Sequence, residues 1–138
     1  MDLRKAICEL SETLTRDRHE LHEHPELSFK EAKTTEYIAK RLESMGISVM
    51  RYPSYYGLVG TIAGKAQGKT VLLRADIDAL PIKEASGVSF ASQNIGVMHA
   101  CGHDAHTAML LGAAKVLKEE SKNFLGTVKL LFQSAEES

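Results

Sequence analysis

The chain has 138 residues, of which 43% are hydrophobic and 25% charged, and its formal net charge is −1. This composition is that of an ordinary globular domain, long enough to bury a core. The near-neutral charge argues against a nucleic-acid or acidic-membrane partner, and no run approaches the roughly 18 apolar residues of a membrane helix. Because Cys8 and Cys101 are too few for a disulfide framework and the N-terminus lacks the apolar core of a signal peptide, we expect a cytoplasmic protein.

The chain opens with a predicted amphipathic helix. Leucine and isoleucine residues recur at spacings of three and four from Leu3 to Leu14, which places them on one helix face. His22, His24 and Pro25 interrupt this pattern. We interpret the two histidines as flanking a turn rather than as a metal site, because proline breaks the helix there.

A second helix and three strands are predicted next. Ser28 and Glu31 have the spacing of a capping box, which predicts that the helix starts there and ends near Gly46. The last of the three strand-like runs is apolar without alternation, which is typical of a strand covered on both faces. The three runs are Ile47–Tyr52, Leu58–Ala63 and Thr70–Ala75.

The second half of the chain predicts one more helix and one more strand. The segment 76–100 carries no regular pattern. Helical periodicity returns at Ala105 and continues to about Glu119, and Gly126 then introduces a buried strand over 127–132. The order of elements predicts an α/β fold in which helices flank a central sheet.

Three polar clusters lie next to these predicted elements. Two of them directly follow predicted strands, and the third directly precedes the third helix. In open α/β sheets, ligands bind at the carboxyl ends of the strands, so we expect the clusters to meet in space. They comprise Asp76 and Asp78, Cys101 and His103, and Glu136 and Glu137.

The segment that contains Cys101 and His103 is the strongest candidate for a metal site. Thiolate and imidazole are ligands that transition metals prefer, and Gly102 permits a tight bend between them. Cys101 could instead be a small buried hydrophobic residue, and His103 a surface or helix-capping residue. His99 and His106 could orient a ligand, contact a substrate or serve the fold alone.

The carboxylates allow two interpretations each. Glu136 and Glu137 are adjacent after a strand and point in different directions, so one could hold a metal ion while the other takes a proton from water. Such a pair is equally typical of a solvated loop. Asp76 and Asp78 either fix the tautomer of a ligand histidine or close a turn, with Arg74 as a salt-bridge partner.

Four motifs recur in order along the chain, at residues 16–29, 73–82, 98–108 and 126–137. Together they resemble the start of an N-acyl-amino-acid amidohydrolase. This family of dimetal peptidases includes hippurate hydrolases, auxin-conjugate hydrolases and thermostable carboxypeptidases. The resemblance implies that residues 1–138 are the N-terminal portion of a metal-dependent catalytic domain, with an incomplete zinc-peptidase-like fold and no lid domain.

The resemblance also implies a site and a reaction. Cys101, His103 and Glu137 would be metal ligands, and Glu136 would be the general base that activates a water held by two divalent ions, manganese or zinc. The complete protein would hydrolyse the amide bond of N-acyl amino acids or small peptides. We expect a small-molecule substrate, no nucleic acid and no membrane as partners, and a homodimer is left open.

Two departures from the family pattern qualify these expectations. Ser134 stands where the family usually has proline, which could loosen the placement of the two glutamates after it. Related proteins are also much longer, and they supply further histidine ligands and a lid domain later in the chain. This chain alone is therefore expected to be inactive, and two other hypotheses stay open: a truncated, non-catalytic remnant that at most binds a metal, and a thiol-based sensor that uses Cys101.

Overall fold

A computed structural model describes residues 2–138, and its elements follow the predicted order. The third helix begins two residues earlier than predicted, and the second strand begins three residues earlier. Helices flank a four-stranded sheet, which confirms the predicted fold class. The helices are α1 (Leu3–Glu23), α2 (Ala32–Ser44) and α3 (His103–Glu119), and the strands are β1 (Ser48–Tyr52), β2 (Tyr55–Ala63), β3 (Thr70–Asp76) and β4 (Thr127–Gln133).

The sheet has the strand order β1-β2-β4-β3. Strand β2 is antiparallel to both β1 and β4, whereas β3 and β4 are parallel. Asp76 pairs with Gln133 at the last position of this parallel ladder. The carboxyl ends of β3 and β4 therefore lie side by side, and the polar residues that follow them leave the sheet at the same edge.

The hydrophobic core lies between the sheet and helices α2 and α3. Ile38 and Leu42 of α2 and Leu111 of α3 are fully buried in one cluster with Leu58 and Phe132 of the sheet. Each such side chain contributes about 1.5–3 kcal/mol by leaving water. Helix α1 packs on α3. None of the helices described between residues 2 and 138 is both long and apolar enough to span a bilayer.

The prediction that the third strand is covered on both faces is wrong for the described residues. Val71 and Leu72 are each 53% exposed. These side chains are exposed because β3 lies at the edge of the sheet. In addition, α2 and α3 belong to one hydrophobic core and do not form two separate layers.

The predicted capping box at the start of α2 is also wrong. The Ser28 hydroxyl donates to the Asp78 carboxylate at 2.8 Å, and Glu31 makes no capping hydrogen bond. The carboxylate of Glu26 caps the helix instead, since it accepts the backbone N–H of Thr34 at 2.7 Å. Ser28 and Glu31 are thereby free to bond to distant parts of the chain.

His22 does not flank a turn, because α1 continues to Glu23. Its ring is buried, with Nδ1 2.8 Å from Asp104 Oδ2 and Nε2 2.9 Å from Glu84 Oε1. Burial opposes the charged ring, but the hydrogen bonds and charges of these two carboxylates prevail and raise the pKa of His22. This buried group links α1 to the first turn of α3, next to the Cys101–His103 segment.

Candidate metal centre

The three polar clusters meet at the carboxyl ends of β3 and β4. Gly102 lies directly before α3 and has a φ of +87°. His103 is the first residue of that helix. This left-handed bend is the tight turn predicted at Gly102, and glycine adopts it without steric cost. It turns the His103 ring toward Asp78 after β3 and toward Glu136 and Glu137 after β4.

Three of the predicted site residues form one group of ligand atoms. Single donor atoms of Cys101, His103 and Glu137 all lie within 4.8 Å of one another. His103 Nε2 is 3.6 Å from Glu137 Oε1 and 3.7 Å from Glu136 Oε2. A thiol, an imidazole and a carboxylate at this spacing fit a transition-metal ion, so the residues present suit the metal that the resemblance implies.

Asp78 fixes the orientation of the His103 ring. His103 Nδ1 lies 2.9 Å from the Asp78 carbonyl oxygen and 3.2 Å from its carboxylate Oδ1. Both partners are acceptors, so Nδ1 carries the proton and donates, which leaves Nε2 free to bind a cation. This geometry favours the orienting interpretation of Asp78 over a simple turn.

The second oxygen of Asp78 holds the chain after β4. It accepts the Glu137 N–H at 2.9 Å as well as the Ser28 hydroxyl. Burial opposes ionisation, yet these hydrogen bonds prevail and lower the pKa of Asp78. One buried carboxylate therefore orients both His103 and the segment that carries Glu137.

Asp76 and His106 form a second group around the same imidazole. Asp76 Oδ1 lies 2.7 Å from His106 Nδ1, and its Oδ2 lies 3.6 Å from His103 Nε2 and 3.7 Å from Arg74 Nη1. The ligand atoms of Asp76, His103 and His106 also fall within 4.8 Å of one another. Because His103 belongs to both groups and has only one free nitrogen, it can bind one ion.

Cys101 is exposed, so its interpretation as a small buried hydrophobic residue is wrong. A hydrogen bond to Glu137, together with the negative charge of that carboxylate, raises the pKa of the Cys101 thiol. The thiolate therefore needs a neighbouring cation to form readily, and a bound metal ion would supply one.

The environments of His99 and Glu31 were not evident from the sequence. His99 is buried, and neither ring nitrogen has a hydrogen-bond partner among the residues that the structure describes. Burial lowers its pKa to about 4, so the ring is neutral near pH 7. Glu31 is fully buried and accepts the N–H of Ala135, one residue before Glu136. Its partner lies 104 positions away, so no local pattern could show the contact.

Comparisons with known proteins find a matching family model and similar hydrolases. Residues 72–138 match the family model described as Peptidase family M20/M25/M40. An N-acetyl-L-cysteine deacetylase from Bacillus subtilis is 49% identical over 132 residues, which are 96% of this chain and 32% of that protein. An N-acyl-L-amino acid amidohydrolase from Geobacillus stearothermophilus is 43% identical over 136 residues, which are 99% of this chain and 37% of that protein.

A solved structure shows the same fold at high similarity. It is a Bacillus subtilis protein described as a dinuclear metal binding peptidase from the M20 family, with 46% sequence identity and a TM-score of 0.88. The match covers 91% of this chain and 35% of that one. The chain thus spans about a third of the length of the relatives that it matches. Residues 72–138 thus match the model of peptidase family M20/M25/M40, and nearly the whole chain is similar to these longer relatives.

Proposed function

We propose that this chain forms the N-terminal portion of the catalytic domain of a metal-dependent amidohydrolase. The observation that carries the proposal is the convergence of Cys101, His103 and Glu137, with the Glu136 carboxylate 3.7 Å from His103 Nε2. Metal ligands and a neighbouring free carboxylate are the parts that metal-assisted hydrolysis requires. The names of the relatives, a deacetylase and an amidohydrolase, support the same reaction class.

In this proposal Cys101, His103 and Glu137 hold metal, and Asp78 accepts a hydrogen bond from Nδ1 of His103 so that Nε2 faces the metal. When bound, two divalent ions polarise the amide carbonyl and make the attacking water more acidic. The description of the related structure as dinuclear supports two ions. The thiolate of Cys101 favours zinc on chemical grounds, and manganese is the alternative that the family resemblance suggests. Any further metal ligands are residues other than Cys101, His103 and Glu137.

Glu136 acts as the general base. Its side chain is 37% exposed, so a water molecule can reach its carboxylate. Glu136 takes a proton from the attacking water and delivers it to the nitrogen of the departing amine. Positioned proton transfer of this kind contributes about 10²–10⁴-fold to the rate.

We further propose that the full-length gene product acts on N-acyl amino acids or small peptides. Hydrolysis of N-acetyl amino acids should disappear after chelation and return on addition of manganese or zinc. Cys101→Ser should weaken metal binding, whereas Cys8→Ser is the matched control because Cys8 is the other exposed free cysteine and lies on α1. Full turnover by metal-free protein would refute the metal-dependent reaction. Metal binding without turnover of any N-acyl substrate would support the non-catalytic alternative instead.

A further inference from the structure

The turn that carries Glu136 contains a strained residue. Strand β4 ends at Gln133, and Ala135 then has a φ of +53°. The left-handed region costs a residue with a Cβ atom about 1–2 kcal/mol, so other contacts must hold Ala135 there. Because Ala135 precedes Glu136 directly, its conformation sets the direction in which the next side chain leaves the backbone.

Glu31 supplies such a contact. It lies immediately before α2, is fully buried, and accepts the Ala135 N–H with its Oε1 at 2.8 Å. Its other oxygen, Oε2, is buried and has no hydrogen-bond partner among residues 2–138. A buried carboxylate with an unpartnered oxygen is costly for stability, so packing alone does not explain glutamate at this position.

A second bond holds the turn on the other side of Glu136. The Glu137 N–H donates to Asp78 at 2.9 Å. The backbone is therefore held at residues 135 and 137, and the side chain of Glu136 leaves from the one residue between them. Loss of either bond frees the turn at one end.

We propose that Glu31 is a positioning residue: its buried carboxylate holds Ala135 in the left-handed conformation and thereby directs Glu136 toward the metal centre. The effect on turnover rests on the proposed function of Glu136. The effect on the Ala135 backbone stands without it, because it follows from the hydrogen bond alone.

The test uses the full-length gene product and two substitutions of Glu31. Glu31→Gln keeps an acceptor oxygen for the Ala135 N–H. Its NH₂ group can take the place of Oε2, so the substitution removes no hydrogen bond there. Glu31→Met has a similar length but no acceptor. We expect Glu31→Gln to keep kcat and Glu31→Met to lower it on the order of 100-fold, as misplacement of a catalytic group by about 1 Å can do, with KM little changed.

Ala135 provides the same test from the donor side, in case Glu31→Met does not fold. Ala135→Pro removes the N–H and cannot adopt positive φ, so it should lower kcat as Glu31→Met does. Ala135→Gly keeps the N–H and tolerates positive φ, so it should keep kcat. Asp17→Asn is the matched control, since Asp17 is an equally buried carboxylate that binds Arg41, between α1 and α2; it should lower the melting temperature but not kcat.

NMR of protein labelled with ¹⁵N-alanine separates this proposal from the proposed function. The Ala135 amide resonance should move in Glu31→Met and stay in Glu31→Gln, whether or not the protein hydrolyses any substrate. An unmoved resonance in Glu31→Met, or unchanged kcat in both Glu31→Met and Ala135→Pro, would overturn the positioning role. A loss of kcat in Asp17→Asn as large as in Glu31→Met would also overturn it, because general destabilisation would then explain both.

Discussion

Asp78→Asn should weaken metal binding, because it changes the group that orients His103. Oδ1 of Asp78 accepts from His103 Nδ1 at 3.2 Å, and Oδ2 accepts from the Ser28 hydroxyl and the Glu137 N–H. Asparagine has one oxygen and one NH₂ group for these two sides. In either orientation of the amide, an NH₂ group faces an N–H donor where an acceptor stood.

The size of the effect follows from which contact survives. The Asp78 carbonyl oxygen still accepts from His103 Nδ1 at 2.9 Å, so the ring keeps its tautomer when the amide turns its oxygen toward Glu137. The variant loses the negative charge of Asp78 and the hydrogen bond between its side chain and His103. Changes to such supporting groups weaken metal affinity about 10–100-fold. That loss corresponds to about 1.4–2.7 kcal/mol, since tenfold is about 1.4 kcal/mol.

Competition with a metal-binding dye on the full-length gene product measures this affinity. Asp17→Asn is again the control, because it alters a buried carboxylate on α1 without touching the metal centre. Unchanged affinity in Asp78→Asn, measured beside unchanged affinity in Asp17→Asn, would refute the orienting role of Asp78. Equal loss in both would show that the weakening comes from general destabilisation.

Two further predictions concern stability. The pKa of His22 is raised above its ordinary value of 6.5 in the fold, so the stability that its charged form adds is present below about pH 6.5 and is lost as the pH rises through the raised pKa. His22→Gln should therefore lower the melting temperature more at pH 6 than at pH 9. Gly126→Ala should destabilise the protein more than Gly87→Ala, as measured by chemical denaturation. Both glycines have positive φ, but an added Cβ would lie 2.1 Å from the Lys69 carbonyl oxygen at Gly126 and would meet nothing within 4 Å at Gly87.

The outcomes that contradict these predictions are specific. A melting-temperature difference for His22→Gln that is equal at both pH values would mean that the charged ring adds no stability. Equal losses in Gly126→Ala and Gly87→Ala would mean that the backbone relaxes around the new Cβ, leaving only the strain of about 1–2 kcal/mol that both positions share.

The sequence was sufficient for the features that depend on order along the chain. Alternation of helix and strand patterns predicted a sheet flanked by helices, and the positions of Asp76 and Glu136 after strands predicted that their clusters would meet. They do meet, because β3 and β4 are parallel neighbours whose carboxyl ends adjoin. The bend at Gly102 was also predictable, because glycine between two polar residues permits a positive φ.

The sequence was insufficient where a side chain serves a distant partner. Ser28 and Glu31 have the spacing of a capping box. In the structure, however, the Ser28 hydroxyl bonds to Asp78, and the Glu31 carboxylate bonds to the Ala135 N–H. His22 lies near a proline and so suggested a turn, whereas its partner Asp104 is 82 positions away. Such contacts depend on how helices pack on the sheet, which local periodicity does not describe.

The most direct test of the metal centre compares Glu136→Gln with Glu137→Gln in the full-length gene product. Metal affinity and turnover of an N-acetyl amino acid are measured on both variants. Glu136→Gln should bind metal as the unsubstituted protein does while losing turnover about 10²–10⁴-fold, and Glu137→Gln should lose metal affinity as well. Loss of metal from Glu136→Gln, with full binding by Glu137→Gln, would contradict the roles assigned to the two glutamates.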